Sequence, residues 1–503
     1  MALNRTRLRT AAAAAGAATA LAMVAGALPA QAAASRTVTG LTTTGAEWTF
    51  PAGQTGISDI AKSIRADVAY QQGYTGKGVG VALIDTGVAP VPGLTSGNIV
   101  NGPDLSLESQ VPSLLHKDGY GHGTHMAGII AGRDNTSGTG FRGIAPDAKL
   151  TSIKVGMSNG AVDVSQMLAA IDWVVKHRND DPKNPIRVLN LSYGTDSTLG
   201  QATNPLALAV ENAWWAGIAV VVAAGNTGHA FTVPATDMHP IVVGSTDPLG
   251  TTNPADDALS SFTSWQGRTW PIDVLVPGRS VVSLRDPGSY ADTYYPSARV
   301  GDRYFKGSGT SQAAAVVSGA IALILQKYPN ATPWQIRSQF WDSSTPLPKA
   351  TVAQRGELNL TNIFNGGVGT GWQTTTRGTG DGSLQAARGT SIVTSGPQGT
   401  ALTGENDIFG PFSTAAWAKA STAGTSWNGG SWMGHPWTGA SWGAATDNQA
   451  NWSGTSWAGR AWSGRAWSDV AWSGRAWSGR AWSGDGFTGA AWSGVSWSGA
   501  LWL

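Results

Sequence analysis

Short apolar segments alternate with longer amphipathic ones along the middle of the chain. Residues 78–84, 217–224 and 241–244 are almost wholly apolar, while 148–155 and 186–191 are strand-like with a few polar positions. Between them, residues 163–177 and 206–215 repeat apolar side chains with a helical period. This alternation predicts an α/β fold with three layers, in which helices cover both faces of a mostly parallel central sheet. In such sheets the ligand site lies beyond the carboxyl ends of the strands.

A further helix is predicted directly after the glycine-rich stretch 307–311. The following residues are small or apolar on nearly every face and carry no charge until Lys327, which indicates a buried helix. Ser311 therefore lies at a helix N-terminus, where unpaired N–H groups and the helix dipole favour developing negative charge. Taken alone, Gly-Thr-Ser at such a turn is more simply interpreted as a helix cap.

The pattern divides the chain into five parts. Residues 1–32 have the features of a secretory signal peptide: three early arginines, an apolar run over 11–28 and the small-residue site Ala30-Gln31-Ala32. A short segment over 33–57 precedes a globular domain over 58–365, whose last surface helix begins at Pro333 with Thr332 as its N-cap. Residues 366–415 are rich in Gly, Thr and Ser and are predicted to be a linker, followed by a repeat region over 416–503.

Composition narrows the function. The chain has 33 basic and 31 acidic residues, and removal of the signal peptide takes three arginines, which leaves a net charge of −1. This balance gives no reason to expect a nucleic-acid partner. The absence of cysteine excludes a cysteine hydrolase and a thiolate metal site. No apolar run after the signal peptide reaches the ~20 residues that span a bilayer, so a secreted, extracellular protein is expected.

Tryptophan recurs every five residues through the repeat region. The unit is close to Ala-Trp-Ser-Gly-Arg, and it begins with Trp417 and runs to Trp502 with Phe487 filling one gap. A period of five matches neither a helical stripe nor a strand alternation. A flexible low-complexity tail, a solenoid and an array of exposed indoles that binds cell-wall glycan all remain open.

Four separate stretches carry residues suited to acyl transfer. Asp85 ends a buried strand, His122 lies in a Gly-His-Gly-Thr-His stretch, Asn226 follows the 217–224 strand, and Ser311 begins the buried helix. A serine needs a base to take its proton, and the base needs a carboxylate that orients it. The oxyanion that forms needs a hydrogen-bond donor, which the Asn226 amide can supply.

Each stretch has a simpler interpretation. His122 and His125 could be metal ligands, but no third ligand is evident, and Asn226 could be an ordinary loop residue. Asp-Thr-Gly also marks aspartic proteases, which need two such carboxylates, whereas this motif occurs once. An α/β-hydrolase needs Gly-x-Ser-x-Gly and the order Ser, acid, His. Here the residue two positions after Ser311 is not glycine, and the order is acid, His, Ser.

At these residues the chain resembles the subtilisin-like serine proteases, over roughly residues 58–365. Asp-Thr-Gly, His-Gly-Thr-His, Ala-Gly-Asn and Gly-Thr-Ser occur in the order of that family. The resemblance implies Ser311 as nucleophile, His122 as general base and then acid, Asp85 as its orienting carboxylate, and Asn226 in the oxyanion hole. It also implies that a peptide substrate binds as an added strand along four residues: Ser192, Tyr193, Gly194 and Gly160.

The chain departs from the family pattern in three places. Gln312 follows the nucleophile where the family usually has Met, and Ala315-Val316 replaces a usual Pro-His pair. The segment over 33–57 looks too short for the usual inhibitory prodomain. No cofactor is required for the chemistry. A structural calcium ion is an option that the resemblance implies, although no ligands for it can be assigned from the sequence.

These observations predict a secreted serine endopeptidase that hydrolyses protein substrates through a Ser-His-Asp acyl-enzyme mechanism. Two other functions remain open. One is a non-catalytic cell-surface or wall-binding protein that uses the tryptophan repeats, and the other is an esterase with the same three catalytic residues.

Overall fold

The computed structural model describes residues 54–109, 111–134, 140–265, 272–347, 356–370, 373, 375–395, 400–437 and 453–454. The predicted signal peptide, almost all of segment 33–57 and most of the repeat region lie outside these residues. The strands are β1 Thr55–Gly56, β2 Gly80–Asp85, β3 Ile99–Asp104, β4 Lys149–Lys154, β5 Ile186–Leu191, β6 Ala219–Ala223, β7 Ile241–Asp247, β8 Ala258–Leu259, β9 Val274–Pro277, β10 Val281–Leu284, β11 Arg299–Val300, β12 Tyr304–Gly307, β13 Val393–Ser395, β14 Thr400–Ala401, β15 Asn406–Asp407, β16 Gly410–Pro411, β17 Trp427–Asn428, β18 Ser431–Trp432, β19 His435–Pro436 and β20 Ser453–Gly454.

The third, fourth and fifth helices along the chain alternate with strands β3 to β6 of the main sheet. They are α1 Ile57–Ser63, α2 Ala66–Gln71, α3 His122–Ala131, α4 Val164–His177, α5 Pro205–Trp215, α6 Tyr290–Tyr294, α7 Thr310–Lys327, α8 Pro333–Ser343, α9 Leu360–Gly366, α10 Leu384–Arg388 and α11 Thr414–Thr422, with a short 3-10 helix at Pro296–Ala298. The predicted N-cap of α8 is confirmed, because Thr332 Oγ1 accepts the N–H of Gln335 at 3.2 Å and Pro333 is the first helical residue.

The main sheet has the strand order β3-β4-β2-β5-β6-β7-β8, and β9 pairs with β7. Every pair is parallel except β7 with β8. Strands β2, β5 and β6 are adjacent, so their carboxyl ends meet at one edge. A smaller sheet of order β1-β10-β12-β11 lies beside this body. The predicted mostly parallel sheet is confirmed.

Side chains on the two faces of the sheet belong to two separate cores. In β2, Ala82 and Ile84 pack in the core that includes α4 and α5, while Val81 and Leu83 pack in the core that includes α3 and α7. All four are fully buried. Because neighbouring residues of a strand point to opposite faces, a strand covered on both faces is apolar throughout. The predicted three layers with helices on both faces are confirmed.

The stretch predicted to be a linker packs against the globular body. Within it, α10 brings the buried Arg388 to Asp163, with Nε 2.6 Å from Oδ2. Asp163 also caps the start of α4 by accepting the N–H of Ser165 at 2.9 Å. Here the structure differs from the linker prediction, because a high content of Gly, Thr and Ser does not show which few residues form long-range contacts.

The first tryptophans of the repeat region are buried against α4. Trp417 and Trp432 donate their indole N–H groups to Asp172 Oδ2 at 2.8 and 3.0 Å, and Trp427 donates to the Ala169 carbonyl at 2.8 Å. With Trp437, all are at most 5% exposed. This part of the repeat region is therefore neither a flexible tail nor an array of exposed indoles, since its rings complete the core on the α4 side.

Two tight turns explain how a period of five can serve one buried face. Strands β17, β18 and β19 form an antiparallel meander, in which Trp427 pairs with Trp432 and Trp432 with His435. The first turn has Gly429 and Gly430 at positive φ, as a two-residue hairpin of this hand requires. The chain reverses after each short strand, so successive tryptophans return to the same side. The tryptophans from Trp442 onward lie outside the described residues, and of their repeats only Ser453–Gly454, which pairs with β13, is described.

Candidate active site

Asp85 and His122 meet where β2 ends and α3 begins. The Nδ1 atom of His122 lies 3.0 Å from both carboxylate oxygens of Asp85, and both side chains are 1% exposed. The next residue must be glycine, because a Cβ on Gly123 would stand 1.9 Å from the Gly87 carbonyl oxygen and 3.1 Å from Asp85 Oδ1. The motif glycines thus allow the histidine turn to approach the aspartate.

The residues that hold this turn were not assigned a role from the sequence. Asp118 accepts the N–H of Gly121 at 2.7 Å, and its other oxygen accepts the N–H and the hydroxyl of Thr124 at 2.8 and 2.6 Å. Thr86 donates its hydroxyl to Asp118 at 2.8 Å and accepts the N–H of Gly123 at 3.0 Å. The only sequence signal was that Asp118 and Thr124 flank the His122 motif.

Burial sets the protonation of the pair. It lowers the pKa of His122 well below its usual value, and the charge of His125 acts in the same direction. Burial also raises the pKa of Asp85, while the Thr86 N–H, which it accepts at 2.7 Å, opposes this. A buried neutral imidazole next to a hydrogen-bonded carboxyl group is the state that a general base requires.

His125 does not share a partner with His122. Its Nε2 atom lies 3.0 Å from the Phe305 carbonyl oxygen, and burial lowers its pKa to about 4. His122 instead directs Nδ1 at Asp85. The two imidazoles are therefore engaged in separate interactions, which does not support the alternative of a metal site at this pair.

Ser311 lies in the first turn of α7, as predicted. It is 3% exposed, and its Oγ has no hydrogen-bond partner among the described residues. Ser318 of the same helix differs, since its hydroxyl donates to Asn190 Oδ1 at 2.9 Å. A buried hydroxyl without a partner needs a functional explanation, and a nucleophile is one.

The Asn226 side chain is fixed by the backbone at the start of α7. Its Oδ1 atom accepts the N–H of Thr310 at 2.8 Å and the Thr310 hydroxyl at 3.0 Å. These donors orient the carboxamide, since only its oxygen can face an N–H group. The Nδ2 end lies 3.4 Å from the point where a Cβ on Gly309 would stand. Asn226 thus carries its N–H donors to the residues that immediately precede Ser311.

The two halves of the site lie at one edge of the sheet. Asp85 is the last residue of β2, and Asn226 follows β6 in the loop that contacts the start of α7. Since β2, β5 and β6 are parallel neighbours, these loops leave the sheet on the same side. The tertiary structure therefore brings Asp85, His122, Asn226 and Ser311 to the edge where ligands bind in such sheets.

The predicted substrate-binding residues lie at this same edge. Ser192, Tyr193 and Gly194 directly follow β5, and a Cβ on Gly194 would clash with the Thr232 hydroxyl at 2.3 Å. The Gly160 N–H donates to the Met157 carbonyl within its own loop at 2.8 Å, so this N–H is engaged inside the protein.

The loop that contains Gly160 contacts the His122 turn. A Cβ on Gly119 would stand 1.9 Å from Ser158 Oγ, which places the two loops in direct contact. The Ser192–Gly194 segment and the Gly160 loop are therefore both available to line a substrate cleft at this edge.

Comparison with known proteins identifies the family. The sequence profile of the subtilase family matches residues 76–392. The chain belongs to the subtilase family. It is 38% identical over 275 residues to the serine protease AprX of Bacillus subtilis, an alignment that covers 53% of this chain and 61% of AprX. It is 35% identical over 303 residues to subtilisin DY of Bacillus licheniformis, covering 59% of this chain and 94% of that protein.

A solved structure of a cold-adapted subtilisin-like serine proteinase is also similar. It is 28% identical, with a TM-score of 0.44, and the match covers 57% of this chain and 90% of that chain. The family and the sequence relatives confirm the predicted resemblance and place this subtilase among the serine-type endopeptidases. None of the helices in the described part of the chain combines the length and apolarity needed to cross a membrane.

Proposed function

We propose that this subtilase is a secreted endopeptidase in which Ser311, His122, Asp85 and Asn226 form the catalytic centre. The observation that carries the proposal is the Asp85–His122 pair, with Nδ1 3.0 Å from the carboxylate, on the sheet edge where Asn226 anchors the start of α7 at Thr310. In the proposed centre, the base, its orienting group, the nucleophile and the donor come from four distant parts of the sequence.

The acylation step follows from these positions. As the Ser311 oxygen attacks the carbonyl carbon of the scissile peptide, its proton passes to Nε2 of His122. Asp85 stabilises the imidazolium that forms, because its carboxyl group lies against Nδ1. The carbonyl oxygen becomes an oxyanion that the Asn226 carboxamide N–H can bind, and such a donor contributes roughly 10²–10³ in turnover.

Breakdown of the intermediate returns the proton. The C–N bond breaks, the amine leaves with the proton that His122 held, and Ser311 keeps the acyl group as an ester. Water then attacks this ester while His122 removes a proton from the water, and the acid product leaves with Ser311 restored. All groups needed are side chains of this chain, so no cofactor enters any step.

The substrate is a polypeptide bound as an extended strand. The segments after β5 and near Gly160 support this proposal, because both lie at the sheet edge that carries the catalytic residues, where an extended peptide can pair with backbone groups. An esterase would use the same chemistry. Endopeptidase activity is favoured because both sequence relatives are named as proteases or subtilisins.

Extracellular location rests on the sequence of residues 1–32, which lie outside the described residues. Edman sequencing of protein from the culture medium should give Ala33 as the first residue of the signal-processed form.

The tryptophans available to bind wall glycan are those from Trp442 to Trp502, since Trp417, Trp427, Trp432 and Trp437 are buried inside the protein. Protein lacking residues 455–503 should then bind isolated cell wall more weakly than the full chain.

The catalytic assignment is tested by a serine-reactive fluorophosphonate. The expected result is one labelled peptide carrying the modification on Ser311, with no label and no hydrolysis of unfolded protein in Ser311→Ala. Ser318→Ala is the matched control, because it removes another buried hydroxyl of α7, and it should keep the label. Modification of a different serine, or full hydrolysis by Ser311→Ala, would contradict the proposal.

Comparing an unfolded protein with a simple ester as substrate separates the remaining functions. An endopeptidase cleaves both, an esterase cleaves only the ester, and a non-catalytic wall-binding protein cleaves neither.

A further inference from the structure

Three buried side chains with metal-binding atoms lie together away from the catalytic edge. Glu211 is in α5, and Asp237 and His239 are in the loop that precedes β7. Because this loop enters β7 at its amino end, the cluster lies at the edge of the sheet opposite to that of Asp85 and Asn226. It is therefore separate from the proposed catalytic centre.

The three side chains converge on one point. One donor atom of each residue lies within 4.8 Å of the donor atoms of the other two. The His239 Nδ1 atom is 2.9 Å from Asp237 Oδ1 and 3.7 Å from Glu211 Oε1. The exposed fractions of Glu211, Asp237 and His239 are 0, 3 and 0%. Such spacing accommodates a single ion with two oxygen ligands and one nitrogen ligand.

Two carboxylate oxygens of the cluster have no donor from outside the pair. Among the described residues, Glu211 Oε1 and Asp237 Oδ2 have no hydrogen-bond donor apart from the neighbouring carboxyl group. Asp172 shows the usual arrangement of a buried carboxylate, with donors on both of its oxygens. Two adjacent buried carboxyl groups cannot both stay ionised unless a cation lies between them, and without a cation they share a proton.

The surrounding contacts hold the donors in place. The Gly378 N–H donates to Glu211 Oε2 at 2.6 Å, and the His239 N–H donates to Asp237 Oδ1 at 2.7 Å. His239 Nε2 lies 3.1 Å from the hydroxyl oxygen of Thr375. A histidine that binds a metal through one nitrogen usually donates the N–H of the other to such a partner.

We propose that Glu211, Asp237 and His239 bind one divalent transition-metal ion of the Zn²⁺ type. Imidazole together with carboxylate suits zinc and its neighbours, whereas calcium and magnesium take oxygen ligands. The ion neutralises the two carboxylates. It also joins α5 and the loop before β7 to residues 375–378, which already contact Glu211 and His239. Its role is structural, because the cluster lies at the opposite sheet edge from Ser311.

The test is titration of the full-length protein with Zn²⁺ after exhaustive dialysis against a chelator. Isothermal titration should show one equivalent of Zn²⁺ bound, and Co²⁺ at the same site should give visible d–d absorption. Glu211→Gln and His239→Ala should each weaken Zn²⁺ binding by more than about 10-fold, the lower limit of the loss caused by outer-sphere partners alone.

Asp257→Asn is the matched control. Asp257 is a buried carboxyl group beside the buried Glu357, without a histidine in the pair, so its substitution should leave Zn²⁺ binding unchanged. The Co²⁺ spectrum of unaltered protein keeps the test valid if a variant fails to fold. The proposal is overturned if the folded, chelator-treated protein takes up neither Zn²⁺ nor Co²⁺, if it prefers Ca²⁺, or if both cluster variants bind Zn²⁺ normally.

Discussion

At the residue scale, the chemistry depends on how burial changes the charge of a few side chains. His122 is 1% exposed, and loss of hydration disfavours its imidazolium form, so its pKa lies well below the usual value of 6.5. The general base must be neutral to accept the Ser311 proton. Activity is therefore retained as the pH falls, until the pH passes through this lowered pKa.

This gives a prediction for the pH profile. In a plot of kcat/KM against pH, the midpoint of the acid limb should lie below 6.5, and it belongs to the Asp85–His122 pair as a unit. The measurement is hydrolysis of a neutral peptide substrate in buffers of constant ionic strength. Circular dichroism at each pH checks that the protein remains folded. A midpoint at or above 6.5 would be evidence against a neutral, desolvated His122.

Asn226 offers a second prediction, because the oxygen and the nitrogen of its carboxamide have different roles. Asn226→Asp keeps the oxygen that accepts from Thr310 but loses the N–H donors, while Asn226→Ala loses both. Both variants should lower kcat by roughly 10²–10³ with little change in KM, as expected for a group that acts on the oxyanion. Thermal unfolding provides the control, with Asn226→Asp expected to unfold nearer to wild type. Near-normal kcat in Asn226→Asp would assign this residue a purely structural role.

Gln312 leads to a third prediction. It lies directly after Ser311 with 1% exposure and places no thioether there, and Met126, the methionine nearest His122 in sequence, is fully buried. Peroxide oxidises methionine to the polar sulfoxide, and at position 312 that change would occur directly beside the nucleophile. Wild type should therefore keep its activity in mild peroxide, whereas Gln312→Met should lose it. Equal and rapid inactivation of both proteins would point to Met126 or another site.

At the scale of elements, α4 connects the protease body to the C-terminal segments. Its N-cap Asp163 forms a fully buried ion pair with Arg388, and Asp172 one turn before its end accepts two indole N–H groups and the Ser421 hydroxyl, the last at 2.5 Å. Burial raises the pKa of Asp172, and the donors from Ser421, Trp432 and Trp417 oppose this. Without the C-terminal segments this face of α4 would be exposed to solvent, whereas here it forms an interface with them.

Substitution of Asp172 should therefore destabilise the whole protein. Asp172→Ala leaves three buried donors without an acceptor, each worth roughly 1–3 kcal/mol, so a loss of about 3 kcal/mol or more in the free energy of unfolding is expected. Asp172→Asn should cost less because one acceptor oxygen remains. Chemical denaturation measures both, and Asp180→Asn on the exposed end of the same region should change nothing.

At the scale of the whole molecule, the C-terminal segments are part of one folded unit. The core on the α4 side includes Leu384, Ile408, Phe412 and Trp417 together with strand and helix residues of the central body. Without these segments, the apolar faces of α4 and α5 would be exposed, and Asp163 would lose the guanidinium of Arg388.

Truncation tests this unity. A chain that ends at Asn365 should aggregate or unfold at a clearly lower temperature than the full chain, while a chain that ends at Gly454 should match the full chain in Tm and in hydrolysis of unfolded protein. Calorimetry and a peptidase assay on the three proteins give the comparison. Equal unfolding temperatures for the chain ending at Asn365 and the full chain would show that the protease domain closes there after all.

The order of elements, the three layers and the catalytic candidates were determined by the sequence. Apolar runs of strand length, the capping residue Thr332, and the motifs around Asp85, His122, Asn226 and Ser311 act locally. Each can therefore be recognised from a few neighbours. The part played by Asp172 could not be recognised in this way, because a carboxylate on a helix is ordinarily solvated and its indole partners lie about 245 residues or more further along the chain.

Only the tertiary structure decided the rest. Tight turns at Gly429-Gly430 and Met433-Gly434 place tryptophans that recur every five residues on one buried face. No rule for a straight helix or strand anticipates this. Glu211 likewise meets Asp237 and His239 through packing of α5 beside the loop before β7, with no spacing that marks a metal motif. Local chemistry is written in short stretches of sequence, whereas long-range pairing depends on which surfaces the folded sheet brings together.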